Sequence, residues 1–495
     1  MKTPFHFWLV LSAFALSACS VNPVVISEQE HKERVSADGQ QLYQDQEPIT
    51  SSVSLHEAMA RAIRYNLDHR LKIMEEALAS DMLDVSRLDM LPSLVANAGY
   101  RGRNNDSGSN SRSLITGKES LEVSTSQERE RMVADLGLSW NILDFGVSYY
   151  RAKQQADRLM IVAERRRKVI QNIIGEVRDS YWRAWAAQNV LDDIAPLMDR
   201  IQKALLSSQQ VEKRGLKTPL ESLQYQQRLL SSMRQLNEVR RNLVTAKTEL
   251  ATLMSLPLST DFTLQQPEVT MPDIPLSIEQ LEELALLQRP ELREEGYHDR
   301  ISAEEIKRTM VSLMPSLTLS TTYNYDSNDY NRRASWLDFS AMISGDLLDI
   351  ATFNQRLDIA KSQAEVVDTR RLALNMAVLS QVHIAVQDFS ETVAMYHTDK
   401  AIFDVENRIL NYVSATADSQ SGHELDLIER ELNAVFAELQ MGESYALLQS
   451  AYGRVYLTIG ADPLTESVEN YSIDTLASAL ASGEKAWSDI GKRAQ

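Results

Sequence analysis

The chain contains itself twice, and no other feature narrows its possible folds as much. Leu91-Pro92-Ser93-Leu94, with Tyr100 beyond it, returns as Met314-Pro315-Ser316-Leu317 with Tyr323 beyond it. Ile142-Leu143-Asp144-Phe145 returns as Leu347-Leu348-Asp349-Ile350, and Ala152-Lys153-Gln154-Gln155-Ala156 as Ala360-Lys361-Ser362-Gln363-Ala364. Gly215 ahead of Leu220 is answered by Gly422 ahead of Leu425. A motif set that recurs in order marks one supersecondary unit used twice. An amphipathic helical stretch precedes each Pro-Ser-Leu, at 55–89 and 278–313. The unit therefore reads helix, strand, loop, strand, long helix, turn, long helix. Residues 257–275 hold four prolines in 19 positions and read as a linker. The chain divides into 19–54, a first unit at 55–256, a linker at 257–277, a second unit at 278–464 and a C-terminal segment at 465–495.

With only 17 Gly and 13 Pro in 495 residues, long helices are expected. Leu236, Val239, Leu243, Ala246, Leu250 and Leu253 fall at alternating steps of three and four, as do Leu425, Ile428, Leu432, Val435 and Leu439. That is the seam of knobs-into-holes packing. The stretches 146–212 and 351–414 would each reach about 100 Å as unbroken helices. Apolar residues off the seam, such as Ile170, Ile173, Ile174 and Val177 ahead of Tyr181, Trp182 and Trp185, predict packing on two sides. The aromatic trio at helical spacing reads as core.

The strands point to a membrane. In 132–143, Met132, Ala134, Leu136, Leu138, Trp140 and Ile142 alternate with Val133, Asp135, Gly137, Ser139 and Asn141, a period of two. Leu317, Leu319, Tyr323 and Tyr325 alternate likewise in 316–325, and Leu337, Phe339, Ala341 and Ile343 in 335–346. Leu94, Ala96, Ala98 and Tyr100 form a weaker strand in 93–101. Nine to eleven alternating residues suit a transmembrane barrel strand, and equally a half-buried sheet of an α+β domain. Lipid tolerates no open edge and barrels start at eight strands, so four strands per chain require a barrel shared among chains. The polar stretches 104–130 and 326–333 read as exposed loops. No run of about 20 apolar residues follows the N-terminus, so no transmembrane helix is expected.

Other chemistry is not visible. There is no phosphate loop, His-Glu-x-x-His, paired-cysteine metal spacing or Gly-x-Ser-x-Gly elbow, so neither an enzyme, a cofactor nor a metal is expected. His383 and His397 lie in a long helix and read as solvated or satisfied. Asp326-Ser327-Asn328-Asp329 lacks the Gly and distal Glu of a calcium loop and reads as an exposed tip.

Lys2, the apolar run from Phe5 to Phe14 and small residues before Cys19 read as a secretory signal over 1–18. Without it the chain carries 50 basic and 69 acidic residues, which disfavours nucleic acid as a partner. Cys19 is the only cysteine, so it forms no internal disulfide. Leu16-Ser17-Ala18-Cys19 resembles a bacterial lipobox. The resemblance implies a diacylglyceryl thioether on Cys19 and a second acylation of its amine, enough chains for a stable anchor. Ser20, where an inner-membrane retention signal would have Asp, favours the outer membrane.

The duplicated helix–hairpin–long-helix unit resembles the TolC-type outer-membrane efflux proteins over about 55–464. Its most family-like pieces are the Leu-Pro-Ser-Leu strand start and Trp140-Asn141-Ile142-Leu143-Asp144-Phe145-Gly146, where Gly146 would let the chain bend from strand to helix. The second copy, Asp349-Ile350-Ala351, lacks that glycine and is expected to bend less. The resemblance implies a mainly α fold with a small transmembrane β part, a homotrimer closing a 12-stranded barrel, and long helices continuing it across the periplasm. It also implies a periplasmic adaptor and an inner-membrane pump as partners. Arg214, Gly215, Leu216, Thr218 and Pro219, with Gly422 and Leu425 in the second copy, would form the adaptor-docking tips. Asp418 and Asp426 would line a periplasmic constriction, since three copies of each acid around one axis favour cations. Asp144, Gly146 and Asp349 mark the strand–helix turns. The competing reading is a structural coiled-coil envelope lipoprotein acting as scaffold or spacer, which would need no outward apolar strand face.

Overall fold

The computed structural model describes residues 23–44, 46–120, 122–214, 218–266, 269–417, 424–464 and 472–493. After a short helix α1 (Glu28–Gln41), the first unit runs α2 (Leu55–Tyr65), α3 (Leu67–Leu88), β1 (Ser93–Gly102), β2 (Gly108–Ser109), β3 (Ser124–Thr125), β4 (Glu130–Asn141), α4 (Ile142–Asn189), α5 (Leu191–Lys213) and α6 (Pro219–Leu253). The second runs α7 (Ile278–Gln288), α8 (Pro290–Ser312), β5 (Ser316–Asp326), β6 (Ser335–Ser344), α9 (Leu347–Ala351), α10 (Phe353–Ala417) and α11 (Glu424–Thr458). A last helix, α12 (Ile473–Arg493), follows. Apart from the hairpin β2–β3, the two units carry the same elements in the same order, and the expected strands lie within two residues of the observed ones.

Local chemistry repeats with the elements. Ser54 caps α2 by accepting from the Glu57 amide, and Ser277, 223 positions later, caps α7 through a capping box with Gln280. Both units also end on one motif. At the end of α6, Ser255 N–H donates to Thr252 O and Leu256 N–H to Ala251 O. At the end of α11, Gly460 N–H donates to Leu457 O and Ala461 N–H to Tyr456 O. These are Schellman pairs, and their αL residues are Ser255 (φ 56°) and Gly460 (φ 71°).

The heptad residues are where the pattern puts them. Leu236, Val239, Leu243, Ala246 and Leu250 are buried, as are Ile428 and Leu432. Leu229, Leu236 and Val239 of α6 meet Val190, Ile194, Leu197 and Ile201 from the α4–α5 stretch and Ile428 and Leu432 of α11 in one core. A second core gathers Tyr181, Trp182 and Trp185 of α4, Tyr396 of α10 and Tyr445 of α11 with Ile63 of α2 and Leu476 of α12. The Tyr181 hydroxyl donates to Gln265 O at 2.9 Å and Val53 O at 3.2 Å, tying the linker to the first unit.

One expectation fails in the long helices. α10 is unbroken over 65 residues, about 98 Å at the helical rise. The first-unit counterpart is interrupted at Val190 (φ −92°, ψ −2°). Pro196 has no amide to give the Asp192 carbonyl, and the break falls just ahead of that carbonyl. Among the described residues no helix is long and apolar enough to cross a membrane.

Candidate channel wall and helix tips

The four long strands form one antiparallel sheet in the order β1-β4-β5-β6. Its register decides what each face is made of. Leu94 pairs with Leu138, Leu138 with Thr321 and Thr321 with Phe339, so one row of the same face crosses all four strands. Tyr100, Met132, Leu136, Trp140, Leu319, Tyr323, Leu337 and Ile343 share that face and are all exposed. Pairing could have scrambled the alternations; instead it adds them into one continuous apolar surface.

The opposite face is polar and internally bonded. Asn97 donates to Asp135 at 2.8 Å, Asn324 donates to Asp338 at 2.8 Å, and the Trp336 indole donates to Asp338 at 3.0 Å. Ser320 donates to Ser340 at 3.2 Å, and Arg131 pairs with Asp326 at 2.9 Å. Within the described residues β1 and β6 each have one edge without a neighbouring strand. An exposed apolar face with two open edges is costly in water and useless in lipid unless other chains close it.

At the strand–helix turn Asn141, not a glycine, does the local work. Its Oδ1 accepts from the Leu143 and Asp144 amides and starts α4 directly at the strand end. Asp144 stands in the first helical turn, where a carboxylate complements the helix dipole. Gly146 lies inside α4 without a positive φ, which corrects the expectation of a glycine-dependent bend. A Cβ there would sit 3.0 Å from Val311 Cγ1, so the glycine lets α4 and α8 approach closely. In the second copy the turn is interrupted rather than relaxed: α9 stops at Ala351 and α10 starts at Phe353. Asp349 pairs with Arg356 at 2.8 Å across that break.

At the far end of the sheet the described residues of 104–130 are largely exposed as expected, but the start of the short loop 326–333 is not. Asp326 and Asn328 are buried. Asn328 accepts from the Glu128 amide at 3.1 Å and donates to Ser126 O at 2.9 Å, latching the short loop to the long one. The composition of 326–329 is that of a solvated turn, so only the partner loop 200 positions away reveals the role.

Below the sheet, ion pairs join the two units along α4 and α8. Arg165 meets Glu294 at 2.6 Å, Lys168 meets Glu291 at 3.0 Å, Arg293 meets Glu164 at 3.3 Å and Lys153 meets Glu304 at 3.7 Å. Arg300 pairs with Asp157. Burial alone would push the Glu291 carboxyl up, but Arg289 and Lys168 beside it hold it down at about 2. Arg167 donates to Gln288 O at 3.0 Å and Gly460 O at 2.7 Å, clamping two helix ends of the second unit from the first. Glu484 of α12 accepts from Arg178 at 2.7 Å and lies 2.8 Å from His56 Nε2. Burial works against its charge, yet those two partners bring its carboxyl to about 2. Nothing in the sequence signalled these clamps, because each joins residues more than 100 positions apart.

At the other end, Thr218 caps α6 by accepting from the Glu221 amide at 3.4 Å, with Pro219 at the first helical position. Arg214 is the C-cap of α5. Gly215, Leu216, Asp418, Gly422 and also Cys19 lie outside the described residues. Leu425 and Asp426 belong to α11, but their side chains are likewise outside the description. His383, expected to be satisfied or solvated, lies 2.7 Å from Glu282 Oε1.

Residues 67–255 match the family model described as outer membrane efflux protein. No curated protein matches the sequence. Among solved structures the chain is similar to the CmeC outer membrane channel of Campylobacter jejuni, at 16% identity over 88% of this chain and 94% of that one, with a TM-score of 0.64. It is similar to the open state of the MtrE outer membrane channel of Neisseria gonorrhoeae, at 18% identity over 81% and 88%, with a TM-score of 0.58. It is also similar to the outer membrane protein VceC of Vibrio cholerae, at 11% identity over 82% and 96%, with a TM-score of 0.61. At such identities the likeness speaks for the fold alone, and the family match lies within the first unit. The duplicated unit, the two-faced sheet and the matched segment agree: in fold the chain is similar to outer-membrane channels, and its first unit matches the outer membrane efflux protein family model.

Proposed function

We propose that three copies of this outer-membrane efflux channel subunit close a barrel of 12 strands, anchored by lipid on Cys19, and conduct substrates outward from the periplasm. The observation that carries the reading is the register, which stacks four alternating strands into one exposed apolar face and one hydrogen-bonded polar face. A coiled-coil spacer has no use for the apolar face. Purified protein reconstituted in planar bilayers should give stepwise conductance, and native mass spectrometry should give a trimer. A monomer that never conducts would overturn the proposal.

The anchor has its own test. Cys19→Ser should abolish metabolic labelling by palmitate, while the strands still allow membrane insertion. Palmitate label retained on the serine variant would remove the lipid from the picture.

The tips Arg214–Pro219, with Gly422 and Leu425, are proposed to meet a periplasmic adaptor that links this channel to an inner-membrane pump. Asp426 and Asp418 are proposed to narrow the tube there. Like charges crowded on one axis repel unless cations screen them. Asp426→Ala, and Asp418→Ala to a smaller degree, should therefore lower cation selectivity and weaken block by a trivalent cation added on the periplasmic side. Asp346→Ala at the barrel end should leave that side-specific block intact. Wild-type block in both tip variants would return these acids to an ordinary solvated turn.

A further inference from the structure

At the sheet end opposite the helices, the long loop between β1 and β4 is a braced arm rather than a slack connection. Arg103 N–H donates to Arg129 O at 2.8 Å, and Arg129 grips Asp106 through two nitrogens at 2.5 Å each. Asn328 of the short loop pins the returning side at Ser126 and Glu128. Above this root β2 pairs with β3. Farther out, Ser120 N–H donates to Ser111 O and Ser113 N–H to Lys118 O, both at 2.9 Å. Six strand steps from Gly108 to Leu114 carry the apex about 20 Å beyond the root.

The apex itself is a closed turn. Gly117, at φ 68°, donates its N–H to Ser113 O at 2.9 Å, and Ser113 Oγ accepts from the Thr116 amide at 3.2 Å. Leu114 and Ile115 occupy the centre of that turn and are 103% and 96% exposed. Turn centres ordinarily take Pro, Gly, Asn, Asp or Ser, and nothing in this geometry calls for two large aliphatic side chains. Cations flank the pair. Arg112 Nε donates to Gly117 O at 3.0 Å, which brings the guanidinium up beside the turn, and Lys118 follows the glycine. The acids of the arm between Gly108 and Thr125, Glu119 and Glu122, stand on the returning side. In a chain with 69 acidic and 51 basic residues, the apex is therefore an apolar pair framed by positive charge.

We propose that this apex docks on the anionic lipid surface of the outer leaflet, with Leu114 and Ile115 entering the acyl boundary and Arg112 and Lys118 holding headgroup phosphates. The proposal rests on the membrane-channel reading and adds to it a lipid contact outside the barrel wall. The charge pattern selects the occupant. An apolar tip with flanking cations matches a surface that is apolar below and phosphate-rich above, where basic side chains bury their stems and keep their heads at the phosphates. The braced root serves the same end, because an arm already ordered loses less conformational freedom on docking.

The test places an environment-sensitive dye on Thr116→Cys in the full-length protein, with the wild type as background for Cys19. The labelled protein is compared in nanodiscs of phosphatidylcholine with phosphatidylglycerol, in nanodiscs of phosphatidylcholine alone, and in amphipol without lipid. In the anionic discs the emission should shift to the blue and be quenched by brominated acyl chains, and amphipol should abolish both effects. Leu114→Ser with Ile115→Ser should abolish them too. Arg112→Gln with Lys118→Gln should lower the ratio of docked to free dye, read from two fluorescence lifetimes, about thirty-fold. If the wild type conducts as a trimer but the dye reports water in every disc, the docking falls alone. A blue shift that persists in amphipol would place the apex against protein and overturn the docking as well. A wild type that forms no conducting trimer would overturn the channel reading and the docking with it.

Discussion

Arginine in place of Phe339 or Leu138 should nearly abolish the proposed trimer in the outer membrane while leaving the long helices able to fold. Both residues sit mid-strand in one row, Leu94–Leu138–Thr321–Phe339, on the apolar face. Phe339 is 77% exposed in the single chain, so no packing inside the protomer explains its size. A basic residue at the lipid midplane costs about 2–4 kcal/mol per copy in a transmembrane barrel. In the proposed closed trimer three copies bear that cost at once. Ser139→Arg and Ser340→Arg, one position along on the opposite face, point to the polar side and should insert almost normally. The measurement is the heat-modifiable trimer band in outer-membrane fractions. Equal loss for both faces, or none for either, would mean that the alternation meets no lipid.

The strands were legible because their information is local. Period-two alternation survives any register, and each strand end carries its own Pro-Ser or polar cluster. What the alternation left open was whether the four apolar rows would share one side. Thr321 shows the limit, since it interrupts the apolar row of β5 and looks out of place until its neighbours Leu138 and Phe339 are known. The long helices were legible for the same reason, with heptad positions such as Leu236, Leu250 and Ile428 buried as their spacing required.

Features set by contacts between distant segments were not legible. Gly146 drew a local explanation, a bend, when its requirement comes from Val311 on another helix. Asn328 read as a solvated loop residue although it is buried against 126–128. The C-terminal segment gave no sign that Glu484 would fasten α12 to α2 and α4 through His56 and Arg178. Charged residues on a helix surface look solvated by default, and only the neighbouring helix distinguishes an ion-pair ladder from an open face.

Gly460 offers the sharpest test of how strictly the second unit is built. It is the αL residue of the Schellman motif ending α11, and a Cβ on it would lie 2.6 Å from Arg289 N and 2.7 Å from both Arg289 Cα and Gln288 C. All three are backbone atoms at the α7–α8 junction and cannot rotate away. The first unit does the same with a side chain present. Ser255 holds φ 56° and its Oγ donates to Tyr65 O at 3.0 Å, so there the α2–α3 junction leaves room for Cβ. Gly460→Ala must accept left-handed strain of about 1–2 kcal/mol and push the junction apart at about 1–3 kcal/mol more. It also disturbs Arg167, which spans the carbonyls of Gln288 and Gly460. Ser255→Gly trades one hydrogen bond for relief of strain, two contributions of about 1 kcal/mol that oppose each other. Thermal melting of the detergent-solubilised protein by circular dichroism should therefore show a large fall in Tm for Gly460→Ala and little change for Ser255→Gly. A Gly460→Ala protein that melts with the wild type would mean that the α7–α8 junction yields freely, and the close approach would lose its structural role.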